Sequence, residues 1–278
     1  MECTITSAKS RMKSIKELMD LSDRVAIVTG GGGHIGGAIC EALAELGAGV
    51  VVLDHSVEAC TETAAKLRQT YGTDACAMVV DLSDERETRA IPDRVMDQLG
   101  RLDILVNCAA FVGTSNIPGW ATSFDRQTAD AWRQAVELNL TTPFILTQAC
   151  AESLAASGKG SVINVSSIYG MVGPDVRIYE GTAMNTPAAY GASKGGLLQL
   201  TRWLATVMGP HTRVNSITPG GVFRNQDERF VARYIEKTPL RRMASEEDFK
   251  GAIAYLAGDL AAYVTGHNLV VDGGWTAW

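Results

Sequence analysis

The stretch VAIVTGGGGHIGGAICEAL, residues 25–43, begins as a run of strand-forming side chains, breaks at four consecutive glycines and resumes with helical periodicity. A continuous apolar run bounded by turn residues suits a strand covered on both faces. Glycine lets the backbone turn tightly and approach a pyrophosphate, whose charge is then met by the amides and dipole of the helix N-terminus. Strand, glycine turn and helix in this order open a dinucleotide-binding βαβ unit. A tight turn without a ligand is the plainer alternative, and the next strand weighs against it. GVVVLD, residues 49–54, ends on Asp54, 24 residues after Gly30. A carboxylate there can accept hydrogen bonds from ribose hydroxyls and would repel a 2′-phosphate. Two unit charges ~4 Å apart at an effective dielectric of ~20 interact by ~4 kcal/mol. With no Lys or Arg at 31–33 or 55, the pattern expects NAD rather than NADP.

Further strands are expected at 24–29, 75–81, 102–107, 161–166, 213–218 and 268–273, with helical patterns between them. Apolar strands alternating with helices predict an α/β fold of the Rossmann type, a doubly wound, seven-stranded parallel sheet with helices on both faces. No linker or repeat divides the chain, so residues 21–278 read as one domain behind an N-terminal extension, 1–20. Two segments interrupt the alternation, 168–189 and 219–247, and each follows a strand. Ligands of open parallel sheets bind at the carboxyl ends of strands, so both are candidate substrate loops. Asp81, closing the third strand, is placed to meet an adenine edge together with Leu82, or to cap the turn DLSDE; the two roles are compatible.

Bulk properties narrow the classes. A net charge of −6 disfavours nucleic acid and anionic membranes as partners, and 46 % apolar residues suffice for a large core. Six scattered cysteines without CxxC spacing suit free thiols in a reducing compartment. Four dispersed histidines suggest no metal site. The first twenty residues lack the apolar core of a signal peptide, and no run approaches a membrane span, which makes the cytoplasm the expected address.

Two tyrosines, Tyr179 and Tyr190, lie eleven positions apart in RIYEGTAMNTPAAYGASK, residues 177–194. Tyr190 has Lys194 four residues on, the same face of a helix, whereas Tyr179 has Ala183. The glycine turn, Asp54, an Asn after the fourth strand, SS after the fifth, YxxxK and a VDGG tail occur in one order, and over residues 20–278 the chain resembles the short-chain dehydrogenase/reductase family. The family's TGxxxGxG falls on Thr29, Gly30 and Gly36, with His34 where the middle glycine belongs. Its NNAG falls on Asn107, Cys108, Ala109 and Ala110, matching at the first and third positions.

The resemblance implies a catalytic set of Asn139, Ser167, Tyr190 and Lys194. It implies cofactor contacts from Gly30, Gly33, His34, Ile35 and Gly36 in the first turn, and from Asn107 and Ala109 after the fourth strand. Tyr190 and Lys194 would also touch the cofactor, as would backbone at Gly220 and Val222 in SITPGGVF, where the family's following threonine is missing. In those roles Tyr190 is general base or acid, Ser167 donates to the substrate oxygen, and Lys194 lowers the phenol and holds the nicotinamide ribose. Asn139 would position a relaying water, or simply repair a helix irregularity. The chemistry is hydride transfer between NAD and a secondary alcohol or ketone. Tyrosine needs about three pKa units of help at pH 7, or ~4 kcal/mol, which one nearby ammonium supplies.

Ser167 and Tyr190 are 23 positions apart, so GPDVRIYEGTAMNTPAA contains an insertion beside the reacting carbons. Its polar groups suit one wall of a polar pocket, with a plain surface loop as the alternative: as a wall, Arg177 would pair a carboxylate or phosphate, or the polar groups would bind sugar hydroxyls. Tyr169 and Tyr179 join Ser167 and Tyr190 as substrate candidates. PDVRIYEGTAM also resembles the insert of a subgroup associated with bacterial flagellin-sugar biosynthesis, which favours a sugar or sugar derivative. A nucleotide-sugar epimerase or dehydratase, or an inactive NAD-binding protein, is the competing function. Trp275 and Trp278 in the terminal VVDGGWTAW suggest docking on a neighbouring subunit, with packing inside the chain as the alternative, and a dimer or tetramer is expected.

Overall fold

The computed structural model describes residues 11–113 and 115–278. The start of the expected extension, with Cys3, therefore lies outside the described residues. The remainder of that extension is anchored to the domain. A short helix α1 (Ile15–Met19), closed by a Ser14 and Glu17 capping box, packs against the turn at Asp259–Ala261, and Lys13 reaches Asp259.

From there strands and helices alternate: β1 (Val25–Thr29), α2 (His34–Glu45), β2 (Gly49–Asp54), α3 (Val57–Tyr71) and β3 (Ala75–Val79) form the first half. Helices α4 (Glu85–Arg89) and α5 (Ile91–Leu99) lead to β4 (Ile104–Asn107), and α6 (Ala129–Val136) and α7 (Thr142–Ala156) lead to β5 (Gly160–Val165). The long α8 (Ala188–Met208) precedes β6 (Thr212–Pro219), and α9 (Glu228–Lys237) and α10 (Lys250–Ala257) precede β7 (Asn268–Val271). All seven strands pair in parallel, in the order β3-β2-β1-β4-β5-β6-β7. The order of strand addition reverses between β1 and β4, the switch point at whose carboxyl ends such sheets open a crevice.

The apolar strands are continuous because alternate residues serve two cores. Ala26, Val28, Val50 and Val52 pack under α2, α3 and α10, while Ile27, Val51 and Leu53 pack with α5, α7 and α8. The third strand stops at Val79, two residues short of the expected end, because its partner β2 ends at Asp54, the residue paired with Val79. The five cysteines among the described residues are free. No described helix is long and apolar enough to cross a membrane.

Candidate active site

The glycine turn is shaped by close approaches that only glycine permits. A Cβ on Gly36 would stand 1.9 Å from the Gly30 carbonyl oxygen, and Gly30 itself has φ +66° with its α-carbon side against the Ala109 backbone. Helix α2 then starts at His34 with no side chain capping its first amides. Those amides, unsatisfied within the helix, are a cradle for a phosphate, and the residues fit a dinucleotide pyrophosphate. His34 occupies the position of the family's middle glycine without strain. Among the described residues only Asn225 and Arg241 are non-glycines with positive φ, so glycine's freedom is not required at 34. Its side chain is exposed and lines an outer groove with Glu41, Lys66 and Lys250.

Asp54 flanks this turn at the end of β2. Its side chain is 11 % exposed and lies 2.9 Å from His55 Nδ1; the Ser56 amide donates to it at 3.3 Å. A Cβ on Gly32 would come within 3.3 Å of Asp54 Oδ2, so turn and carboxylate share one corner. Across the crevice, Thr29 Oγ1 accepts the amides of Cys108 and Ala109 at 2.9 and 3.0 Å, tying the loop after β4 to β1. Asp81 accepts the Ser83 amide at 2.9 Å, the turn role expected for it, and the Leu82 carbonyl accepts the Thr142 hydroxyl at 3.1 Å.

The Asn107 side chain turns back into the sheet. It is buried and donates to Asn164 Oδ1 at 2.8 Å and Thr147 Oγ1 at 3.3 Å, with Asn164 donating onward to Thr201. A buried amide needs partners, and this chain supplies them between β4, β5 and the helices behind, so the side chain supports the sheet. Gly220 approaches Asp272, where a Cβ would meet the backbone at 2.9 Å. The Val222 carbonyl accepts Gln226 Nε2 at 2.7 Å, and Gln226 Oε1 accepts the Arg224 amide at 2.7 Å. Gln226 thus knits the turn in which the family's threonine is missing.

Three of the four expected catalytic residues converge at the carboxyl end of β5. Ser167 follows that strand and accepts the Tyr169 amide at 3.2 Å. Tyr190 sits in the first turn of α8; burial pushes its phenol up, and a hydrogen bond with Ser167 works the other way. Lys194, one turn on and 3 % exposed, donates to the Val165 carbonyl at 2.7 Å, and burial brings its ammonium down to about 8. The phenol is therefore raised, not lowered, because burial is the larger effect and the Ser167 hydrogen bond only partly opposes it. Asn139 lies in a π-turn, Glu137–Thr141, between α6 and α7. Its amide accepts from the Phe111 N–H at 2.8 Å and donates to the Phe111 carbonyl and Ser193 Oγ, each at 3.2 Å. Ser193 Oγ in turn donates to the Tyr190 carbonyl at 3.0 Å. Asn139 reaches the tyrosine's helix through this serine.

The structure brings Tyr169 and Tyr179 together and turns Arg177 away. The two phenol oxygens are 2.7 Å apart, and Tyr179 packs on Phe230 of α9 while Tyr169 meets Trp275 edge-on. Arg177 is 78 % exposed and forks onto both Asp175 oxygens at 2.8 Å, and Lys237 of α9 donates to the same Asp175 Oδ2 at 2.8 Å. The insert and α9 are one packed unit, built around Ile178, Phe230, Tyr234 and Trp275. Trp275 stacks on Tyr234 inside the chain, whereas Trp278 is exposed and donates to the Lys237 carbonyl at 3.0 Å.

Residues 32–276 match the profile of a family described as enoyl-(acyl carrier protein) reductase. The chain belongs to the short-chain dehydrogenase/reductase family. A protein of Rhizobium meliloti named "probable galactose dehydrogenase" is 32 % identical over 92 % of this chain and 96 % of its own length. A short chain dehydrogenase of Leptospira borgpetersenii solved with NAD+ is 33 % identical, with a TM-score of 0.80 over 96 % of this chain and 97 % of that one. A gluconate 5-dehydrogenase of Burkholderia cenocepacia solved with NADP and tartrate is 28 % identical, with a TM-score of 0.84 over 95 % and 100 %.

Within the short-chain dehydrogenase/reductase family pattern, motif reading misses residues that the fold makes important. Cys108, at the second NNAG position, has its thiol pushed up to about 11 by burial, with Lys194 opposing. Gln127 accepts the Ala188 amide at 2.9 Å and so caps the helix that carries Tyr190; its only sequence signal is a polar residue just before a helix start. For Arg177 the signal was present: an aspartate two residues earlier in PDVR.

Proposed function

We propose that the chain is an NAD-dependent oxidoreductase interconverting a secondary alcohol and its ketone on a polar substrate such as a sugar or sugar derivative. The observation that carries this reading is the convergence of Tyr190, Ser167 and buried Lys194 beside a crevice that ends in the glycine cradle and Asp54. The nicotinamide ring, when bound, supplies or accepts the hydride. Gly30, Gly33, Ile35 and Gly36 would cradle the phosphates, Asp54 the adenosine ribose and Lys194 the nicotinamide ribose.

In the reducing direction Tyr190 gives its phenolic proton to the oxygen that becomes the hydroxyl, and Ser167 donates a hydrogen bond to the same oxygen. In oxidation the proton returns to the phenolate, which the Lys194 ammonium stabilises. Burial keeps the resting phenol protonated, ready to act as acid. Asn139, through Phe111 and Ser193, holds the loop and the helix turn that frame the reacting residues. Free thiols and a net charge of −6 support a reducing, cytoplasmic setting without nucleic acid or membrane partners.

The cofactor choice rests on Asp54, whose charge opposes a 2′-phosphate by up to ~4 kcal/mol. Calorimetric titration with NADH and NADPH tests it. NADH binding at least tenfold tighter supports the reading, and equal or tighter NADPH binding would overturn it.

A further inference from the structure

We propose that the wall beside the reacting carbon reads an uncharged hydroxyl through the Tyr169 and Tyr179 pair, so that the substrate is a neutral polyol or sugar and not a sugar acid or sugar phosphate. The inference rests on the oxidoreductase reading above and narrows its substrate class.

The pair is fixed to both catalytic elements. The Tyr169 amide donates to Ser167 Oγ at 3.2 Å, and its carbonyl lies against Gly191, next to Tyr190, where a Cβ would stand at 3.1 Å. Its phenol meets that of Tyr179 at 2.7 Å. Two phenols bonded to one another use one proton and one acceptor, and with the Thr186 hydroxyl beside Tyr179 the group presents neutral O–H donors and lone pairs, with no charge. A substrate hydroxyl both donates and accepts, so it matches that group. A carboxylate or phosphate only accepts, and asks for several donors or a cation. Burial pushes both phenols up, so neither carries charge at neutral pH.

The cations that an anion would need are engaged elsewhere. The segments 168–189 and 219–247 carry seven basic and seven acidic residues. Arg177 and Lys237 share Asp175, while Arg224, Arg229 and Arg242 hold Glu246, Asp227 and Asp248. Arg233 and Arg241 donate to main-chain carbonyls at Glu180 and Glu236. All seven are therefore engaged with acidic side chains or main-chain carbonyls, and the two segments carry no net charge between them. Exposed pairs of this kind are weak one by one. Recruiting Lys237 or Arg233 would nevertheless unfasten the insert from α9.

The test uses the full chain with NAD+ and matched probes: glucitol against gluconate and glucitol 6-phosphate, and galactose against galacturonate and galactose 6-phosphate. The expected result is kcat/KM at least tenfold higher for the neutral member of each set. Tyr169→Phe and Tyr179→Phe should each raise KM for the neutral probe about tenfold, with NADH affinity unchanged, and Arg177→Ala should leave KM where it was. Preference for the acid or phosphate, or a KM for either that rises in Arg177→Ala, overturns the inference. Failure of the underlying reading shows differently: Tyr190→Phe would then retain turnover of the same probes.

Discussion

Tyr190 is partly buried and Lys194 fully so, and this sets what their titration can do. Replacing Tyr190 with Phe removes the proton donor and little else, so kcat should fall by about 10²–10⁴ or more while calorimetry finds NADH bound as before. For alcohol oxidation, kcat/KM should rise with pH as the phenol ionises. An ammonium nearby favours the phenolate, so Lys194→Ala should move that limb to higher pH, by at most about three units. Lys194 also carries a stability signature. Its folded value, about 8, lies below the ordinary ~10.4, so between these values the unfolded chain holds more protons and stability rises with pH. Below pH 8 the full burial cost is present, and Lys194→Met should therefore gain most at pH 7 and lose its advantage towards pH 10, as read by denaturant unfolding. Gly36 is constrained by space, since a Cβ 1.9 Å from the Gly30 carbonyl has no room. Gly36→Ala should weaken NADH binding more than tenfold and lower Tm, because overfilling a tight site forces the backbone apart at about 1–3 kcal/mol or more. Motif order located these residues in the sequence, but not their environments. That Lys194 binds the Val165 carbonyl, or that Asn107 faces Asn164, depends on strands brought together across β4 and β5.

Strands were the legible elements, because burial on two faces leaves no polar position to blur them. VVVL of β2 is wholly buried, and the expected span 49–54 matches the observed one. Elements held by side chains from elsewhere were not legible. The π-turn at Glu137–Thr141 has no pattern of its own and is held by Asn139 reaching Phe111. The turn Ile168–Gly170 packs on α8 and β6, while the insert's short 3₁₀ turn after it, Val176–Tyr179, packs on α9 some fifty residues later. That dependence can be measured. Asp175 fastens insert to α9 through Lys237, and Asp175→Asn should raise substrate KM several-fold and speed proteolysis within 171–187 while NADH affinity holds. The Arg177 fork, with Lys237, keeps the Asp175 carboxyl well below the ordinary range. A depressed carboxylate contributes its stability above the unfolded value of ~3.9 and loses it only as pH falls through the folded value. Proteolysis of the wild-type insert should accordingly be flat from pH 8 to 5; a marked rise within that window would mean that another contact fastens it.

At the scale of the whole molecule, the site lies at the switch point between β1 and β4, and both loops that cover it hang from carboxyl ends of neighbouring strands. Strand order thus gathers cofactor cradle, reacting residues and walls on one rim. The outer faces of the helices carry a different message. Trp203 on α8 is 53 % exposed with Val207 beside it one turn on, and α6, packed against α8, exposes Trp132. Large apolar side chains gathered on adjoining helices mark an interface more often than a solvated face. We propose that this surface joins copies of the chain, with a tetramer as the expected assembly. Light scattering should then give about four times the 29.6 kDa of one chain. Trp203→Glu places a charge where a neighbour would bury it, and should reduce that mass to dimer or monomer without changing the near-ultraviolet signature of the aromatic cluster around Trp275. A wild-type mass equal to one chain would remove the interface, and would leave Trp203 a solvent-facing residue for which the fold offers no other use.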